Sequence, residues 1–360
     1  MSSEGTVLRV GSITGNFQSE TPLHPAAKAL LLEAFDRGWA NPTKVHQSSR
    51  EAYILLNEAK ETFAFHLGIR PDQVEILADS SLGFHMGISG LLDVDSTLYF
   101  SSVDRTEVFA VADHAHGAEL HVALDGFVQY PQGAPGDVLA WQSANGETGI
   151  ISRHPEEFRG RVFVDATASG ELLKLPDRWH TCLWSSKAWA GPAGLGIFAI
   201  HDKGVWQNPL PHRETRISTP EISLPLVMAS AIALEAHALE FERKLADVRA
   251  MNQSIRQYLK FEIPDIDLAG ELGSTLPHLL SFSILYVDAQ LLVSELDRRG
   301  FSVDSGSACS AANMEPSHVL AAMGILTHGN IRLTLHLNAE ESAVNEFLSL
   351  LKELVLQARD

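Results

Sequence analysis

The chain has 360 residues, 45% of them hydrophobic and 20% charged, with a formal net charge of −18. That balance belongs to a chain that buries a core, and the length accommodates two domains. A surface so acidic repels phosphate backbones, and no Lys/Arg cluster relieves it, since Arg213 and Arg216 are separated by Glu214; nucleic acid is not an expected partner.

Helical periodicity alternates along the chain with short β-branched or aromatic runs, which predicts an α/β fold with a largely parallel sheet. Residues 25–35 read as an amphipathic helix entered through proline, and residues 49–67 as a longer one ending at Gly68. Strands are expected over 74–77 and 97–101, with an apolar helix over 84–92 between them. Further strands follow at 119–122, 138–141, 162–165, 182–184 and 196–200. Residues 221–258 then form one long helical stretch, with Pro225 near its start, long enough to leave one domain and enter another. Beyond it come a strand at 279–285, a helix at 288–299 closed by Gly300, strands at 301–303 and 331–336, and a last helix at 340–359. The expected division is a large domain over 15–235 and a smaller one over 236–360, with residues 1–14 packed against the latter. No apolar run reaches the ~20 residues of a membrane span. Residues 1–14 lack a basic start followed by an apolar run, so no signal peptide is expected. Two cysteines, Cys182 and Cys309, make no disulfide framework, and the expected location is the reducing cytoplasm.

Chemistry concentrates in residues 161–196. One β-rich run ends at Asp165; a second ends in Ser185-Ser186-Lys187, followed by a Gly/Pro-rich turn. Neighbouring strands would deliver an acid and an amine to one sheet edge, where α/β ligand sites form. Pyridoxal phosphate needs that pair: a lysine for the Schiff base, and a carboxylate that keeps the pyridine nitrogen protonated. On residue types alone, a loop-capping aspartate and a surface lysine remain the alternative. The second segment, residues 303–324, sets Cys309 among small polar residues ahead of Glu315-Pro316-Ser317-His318-Val319-Leu320. A thiol so placed is accessible and able to attack sulfur, whereas Cys182 reads as a small buried residue.

These segments resemble the pyridoxal-phosphate-dependent cysteine desulfurases of the class V aminotransferase group, in the form with a long catalytic loop. The resemblance rests on Asp165, Lys187, Gly191, Pro192, Gly194 and Gly196, on the Ser-Gly-Ser-Ala-Cys run ending at Cys309, and on Gly329-Asn330-Ile331-Arg332-Leu333. It extends, patchily, from about residue 22 to about residue 350. It implies a fold-type I transferase, with a mainly parallel seven-stranded sheet in the large domain and a smaller α+β C-terminal domain. It also implies L-cysteine or a related amino acid as substrate, with sulfur carried on Cys309 and passed to an acceptor protein, and Arg332 on the substrate carboxylate.

Ser80 and Ser81, before the helix expected at 84–92, take the phosphate positions, and Ser186 could add a hydroxyl. Thr219 falls in a segment whose threonine reaches the partner subunit's phosphate, implying a homodimer. Asn145, in the turn Asn145-Gly146-Glu147-Thr148-Gly149, is expected beside substrate and cofactor, and Asn41, Pro42 and His46 near the entrance. Three positions depart from the family. Arg105 stands at the ring-stacking histidine, Ala168 at a glutamine, and Ser186 at the histidine before the lysine. A guanidinium can stack on a ring but cannot shuttle protons as imidazole does. The sequence therefore leaves open a class V lyase or aminotransferase acting on another amino acid, and a non-catalytic scaffold.

Overall fold

The computed structural model describes residues 14–37, 40–212, 222–306 and 316–359. In chain order the elements begin with strand β1 (Gly15–Phe17) and helices α1 (Pro25–Arg37) and α2 (Gln47–Leu67). Strand β2 (Val74–Leu77), helix α3 (Ser80–Ser89), strand β3 (Leu98–Ser101), helix α4 (Thr106–Ala115) and strand β4 (Ala118–Leu120) follow. Four strands come next: β5 (Val138–Gln142), β6 (Arg161–Asp165), β7 (Thr181–Ser185) and β8 (Gly196–Ile200). The long helix α5 (Leu224–Glu262) leads to β9 (Ile266–Leu268), β10 (Leu279–Ile284), α6 (Ala289–Arg298) and β11 (Phe301–Val303). Helix α7 (His318–Ala322), β12 (Asn330–Thr334) and α8 (Glu341–Arg359) complete the described chain.

Seven strands form one sheet in the order β2-β8-β7-β6-β5-β3-β4, parallel except for β8, which runs antiparallel to both neighbours. The central strands are buried throughout their length, as a sheet covered on both faces requires. One face packs under α1, α2 and the first half of α5, around Phe63, Trp141, Trp184 and Trp189. The other packs under α3 and α4, around Phe84, Phe163 and Phe198. A second core gathers the far half of α5, the three-stranded sheet β12-β10-β9, and helices α6 and α8 around Phe17, Phe282, Phe301 and Phe347. By length and hydropathy α5 could cross a membrane, but half of its most apolar window is buried, as in a core helix.

Several elements differ from the sequence expectation. Helix α3 begins at Ser80 rather than 84, because Asp79 caps it by accepting from the Ser81 amide at 2.9 Å. Gly83 and Gly87 dilute its helical signal, yet each is small for a reason: a Cβ would lie 2.4 Å from Leu183 and 2.5 Å from Phe163. Helix α4 was not expected at all; its valines lower helix propensity while Val108, Val111 and Ala112 supply the buried face that stabilises it. Strand β4 stops at Leu120, and Val122 makes only an isolated bridge to Val128. Strand β1, from the stretch assigned to the large domain, instead pairs in parallel with β11 beside the second core. Three residues carry too little periodicity to reveal such a partner.

Candidate active site

The parallel strands place their C-terminal ends on one edge of the sheet. Asp165 ends β6 and lies in register between Gln142 of β5 and Leu183 of β7. Two residues past β7 comes Lys187, in a single 3-10 turn over Ser186–Trp189. Because β8 reverses direction, β2 again delivers its end to this edge, where α3 starts. A cavity of about 1050 Å³ opens there; Lys187, Ser80, Ser81, Arg105, Asn145, Ala168 and Arg332 all border it. The amine of the sequence reading borders this cleft, and the acid lies behind Arg105 and Thr167, which border it too.

Asp165 is 3% exposed. Its Oδ1 accepts from the Thr167 amide (2.9 Å) and hydroxyl (2.6 Å), which fixes the carboxylate and leaves Oδ2 for Arg105. There the Nε of Arg105 stands 3.3 Å away, paired in charge without completing a hydrogen bond. Arg105 is half-buried and stands beside Asp165 at the N-terminus of α4. Two small residues make room for it. A Cβ on Gly146 would come within 3.1 Å of the Arg105 Nη2, and Ala168 lies beside it, 3.6 Å from the same point. Gly146 and Ala168 are thus both short where the Arg105 guanidinium lies.

At the phosphate end, Ser80 and Ser81 are not residues ahead of a helix but its first turn, and the Ser81 hydroxyl donates to Asp79 Oδ1. Hydrogen bonding from Ser81 holds the Asp79 carboxyl below its usual range. Ser186 does not present its hydroxyl to the cleft. It is fully buried, with its Oγ 2.7 Å from the Ser230 Oγ of α5, and the neighbouring Ser185 borders the cavity instead. Thr219 lies outside the described residues, as does Cys309. Cys182 is buried in β7, and burial raises its thiol pKa well above the ordinary value.

The opposite wall comes from the second core and from the segment before α1. Arg332 on β12 pairs with Glu147 at 3.8 Å, and Glu147 also accepts from the Ser317 hydroxyl at 2.7 Å. Asn145, expected to touch substrate, is already committed. Its amide donates to the Val103 carbonyl and to Gln142, while its oxygen accepts from the amides of Glu147 and Thr148. Its role is to build the turn that carries Glu147. Asn41 and His46 are exposed and do not border the cavity.

Glu20, unremarked in the sequence, bonds the Lys187 amine at 2.5 Å. No periodicity or motif marks it. Also unforeseen is a group of histidines at the far end of the cleft. His237 bonds Glu171 at 2.6 Å, and His336 bonds the Gln18 carbonyl at 2.9 Å. Burial drives the His278 pKa down to about 3, and its Nδ1 has no hydrogen-bond partner among the described residues. On the sheet side, burial pushes the Asp104 carboxyl up to about 8.

Comparison with known proteins bears directly on this geometry. The chain is 28% identical to the cysteine desulfurase IscS of Dictyoglomus turgidum over 384 aligned positions, covering 96% of this chain and 94% of the relative. It is 29% identical to an IscS-like cysteine desulfurase of Mycobacterium tuberculosis, covering 94% and 95%. The aminotransferase class-V family model matches residues 184–347, from the end of β7 through most of the second core. Over that span the chain is similar to the class-V aminotransferases. Like that family it is a pyridoxal-phosphate-dependent enzyme. A solved NifS-like protein shares its fold with a TM-score of 0.83 at 19% identity, over 95% of this chain and 99% of that one.

The residues present fit the cofactor. Asp165 offers a fixed, buried carboxylate for a ring N–H, and Lys187 a primary amine for the aldehyde. The first turn of α3 directs backbone N–H groups toward a phosphate. The Arg105 Nε, buried and without a hydrogen-bond partner among the described residues, faces the same carboxylate.

Proposed function

We propose that this enzyme is a cysteine desulfurase that converts L-cysteine to L-alanine, holds the sulfur as a persulfide on Cys309, and passes it to an acceptor protein. One observation carries the reading: Lys187 and Arg332 border the same cavity as Gly306 and Pro316, the described residues that bound the segment containing Cys309. Pyridoxal phosphate, when bound, supplies an electron sink that labilises bonds at the substrate's α-carbon. Asp165 would hold the ring nitrogen. Arg332 orients the substrate through its carboxylate, exchanging Glu147 for a second carboxylate partner. Lys187, once its amine is free, moves a proton at the α-carbon. The Cys309 thiolate takes the sulfur as a persulfide, and the three-carbon remainder gains a proton and leaves as alanine.

A homodimer is part of the same proposal. It is supported by Leu32 and Phe35 on α1 and by Tyr53 and Ile54 on α2, large apolar side chains left exposed on helices that pack on α5. The test is to incubate the purified enzyme with L-cysteine, measure alanine, and locate persulfide by alkylation and mass spectrometry. Alanine equimolar with sulfur, persulfide on Cys309, and loss of sulfur transfer in Cys309→Ser are expected. Sulfur release at the wild-type rate in Cys309→Ser, or turnover confined to other amino acids, would replace this reading with a lyase or aminotransferase. A monomer in light scattering with full cofactor occupancy would remove the dimer.

A further inference from the structure

Exchange of one amine for another at Lys187 needs a proton acceptor, since an amino acid arrives as an ammonium ion and only its neutral amine is a nucleophile. The obvious places for such a group are empty of one. Arg105 does not release its proton near neutrality, and Ser186 spends its hydroxyl on Ser230 in the core. Among the described residues, the titratable side chain bonded to the Lys187 amine is Glu20, 2.5 Å away.

Its placement is fixed from both sides of the cleft. On one side the Ser19 amide donates to Asp304 Oδ2 at 2.6 Å, and the Gln18 carbonyl meets His336 Nε2. On the other, the His24 amide donates to the Ala190 carbonyl, three residues past Lys187, and His24 Nε2 lies 3.5 Å from Glu240 of α5. Ser19 and Thr21, flanking Glu20, border the cavity. The pair itself is open to solvent, Glu20 being 64% and Lys187 41% exposed, and exposed ion pairs contribute little to stability. Holding the fold together is therefore a poor account of it. Several other charged groups bordering the cavity are themselves engaged, among them Arg105 with Asp165, Arg332 with Glu147, and His237 with Glu171.

We propose that Glu20 is the proton acceptor for amine exchange at Lys187. This rests on the reading of Lys187 as the cofactor lysine, but not on the identity of the substrate. The carboxylate takes one proton from the incoming α-ammonium, leaving a neutral amine whose lone pair forms the new bond to the cofactor carbon. As the bond from that carbon to the Lys187 nitrogen breaks, the leaving nitrogen recovers the proton from Glu20. The protons that the substrate nitrogen gives up end on the lysine nitrogen, one of them by way of Glu20 and the rest directly between the two nitrogens, and the Glu20–Lys187 ion pair of this structure is the end state. With Arg332 on the carboxylate, the two residues address the two charges of a zwitterion.

The experiment mixes cofactor-loaded protein with L-alanine or with hydroxylamine and follows the change in cofactor absorbance by stopped flow. Alanine carries no sulfur, so the outcome is independent of desulfuration. Hydroxylamine is already neutral at neutral pH and needs no acceptor. Glu20→Gln is expected to slow alanine capture on the order of 10²-fold, leave hydroxylamine capture unchanged, and regain most of the alanine rate in Glu20→Asp. In cofactor-free protein, Glu20→Gln is expected to speed acetylation of Lys187 by acetic anhydride, read by mass spectrometry. Equal slowing with both amines would mean that Glu20 only positions the lysine, and no slowing with alanine would mean that it plays no part; either overturns the proposal. Alanine capture that depends on Glu20 in a protein that does not desulfurate cysteine would sink only the proposed function.

Discussion

The two walls of the cleft are built in different ways. On the sheet edge several side chains are held by neighbours in sequence: Asp165 by Thr167, Ser81 by Asp79, and Asn145 in part by Glu147 and Thr148. The opposite wall is closed by contacts across great stretches of chain, with His336 on Gln18 at a separation of 318 residues and Ser19 on Asp304 at 285. Glu147 and Ser317 are 170 apart, and Glu20 and Lys187 167. Cofactor binding is thus encoded locally, while the surface that meets the substrate exists only once both cores have formed.

The strongest way to break this division is at the local wall. Lys187→Ala should lose the covalently held cofactor absorbance and any borohydride-trapped label, and lower turnover by at least about 10²–10⁴-fold, with the far-UV spectrum unchanged. A label trapped on another lysine in the wild type would show that the edge had been misread. The opposite wall should fail differently. Arg332→Ala removes a charge-assisted contact worth roughly 1.5–3 kcal/mol, or about 10–100-fold in kcat/KM. That loss should fall mainly on KM and leave cofactor affinity intact. A mutant that instead loses cofactor would mean that the walls are not separable.

Legibility from sequence follows the same line. Asp165 and Lys187 could be read because a strand end followed by a glycine-rich turn is a local pattern, and strands β6 and β7 lie side by side. Ser186 misled because adjacency to Lys187 in sequence says nothing of direction: in a 3-10 turn successive side chains diverge, and this one faces α5. Asn145 borders the cleft, but both of its amide protons are already donated, to the Val103 carbonyl and to Gln142. Glu20 carried no signal, being a charged residue in a short stretch before a helix.

Arg105 sharpens the comparison, because it sits on the local wall yet departs from the family. Paired with Asp165, its guanidinium competes for the carboxylate that a ring nitrogen needs. It also supplies no titrating group near neutrality. Desulfuration by the wild type is expected to be slow. Arg105→His should raise the rate and give it a pH dependence near neutrality, by less than the ~10²-fold floor of full acid–base catalysis. The gain should be larger with Ala168→Gln, which refills the space beside Gly146. A rate and cofactor spectrum unchanged in Arg105→Ala would show that the pairing with Asp165 has no bearing on catalysis.

The smallest effect is on stability, and pH separates the walls. Asp104 follows β3 on the sheet side, and burial raises its pKa from 3.8 to about 8. Between those values the folded protein keeps a proton that the unfolded chain has released. Stability is therefore lost as pH climbs through that window, and Asp104→Asn should raise the Tm more at pH 8.5 than at pH 5. His278 precedes β10 on the opposite wall, and burial lowers its pKa from 6.5 to about 3. Here the unfolded chain gains a proton that the folded one refuses. Its contribution is complete above about 6.5 and is lost as pH falls toward 3, so His278→Gln should flatten the acid limb of the Tm profile. His180, beneath β7 and lowered to about 4, titrates in the same direction, and the flattening should therefore be partial. Thermal melts from pH 4 to 9 on wild type and the two variants are the measurement. Asp104→Asn acting on the acid limb, or His278→Gln on the alkaline one, would contradict both the assignment of charge and the side of the cleft to which each belongs.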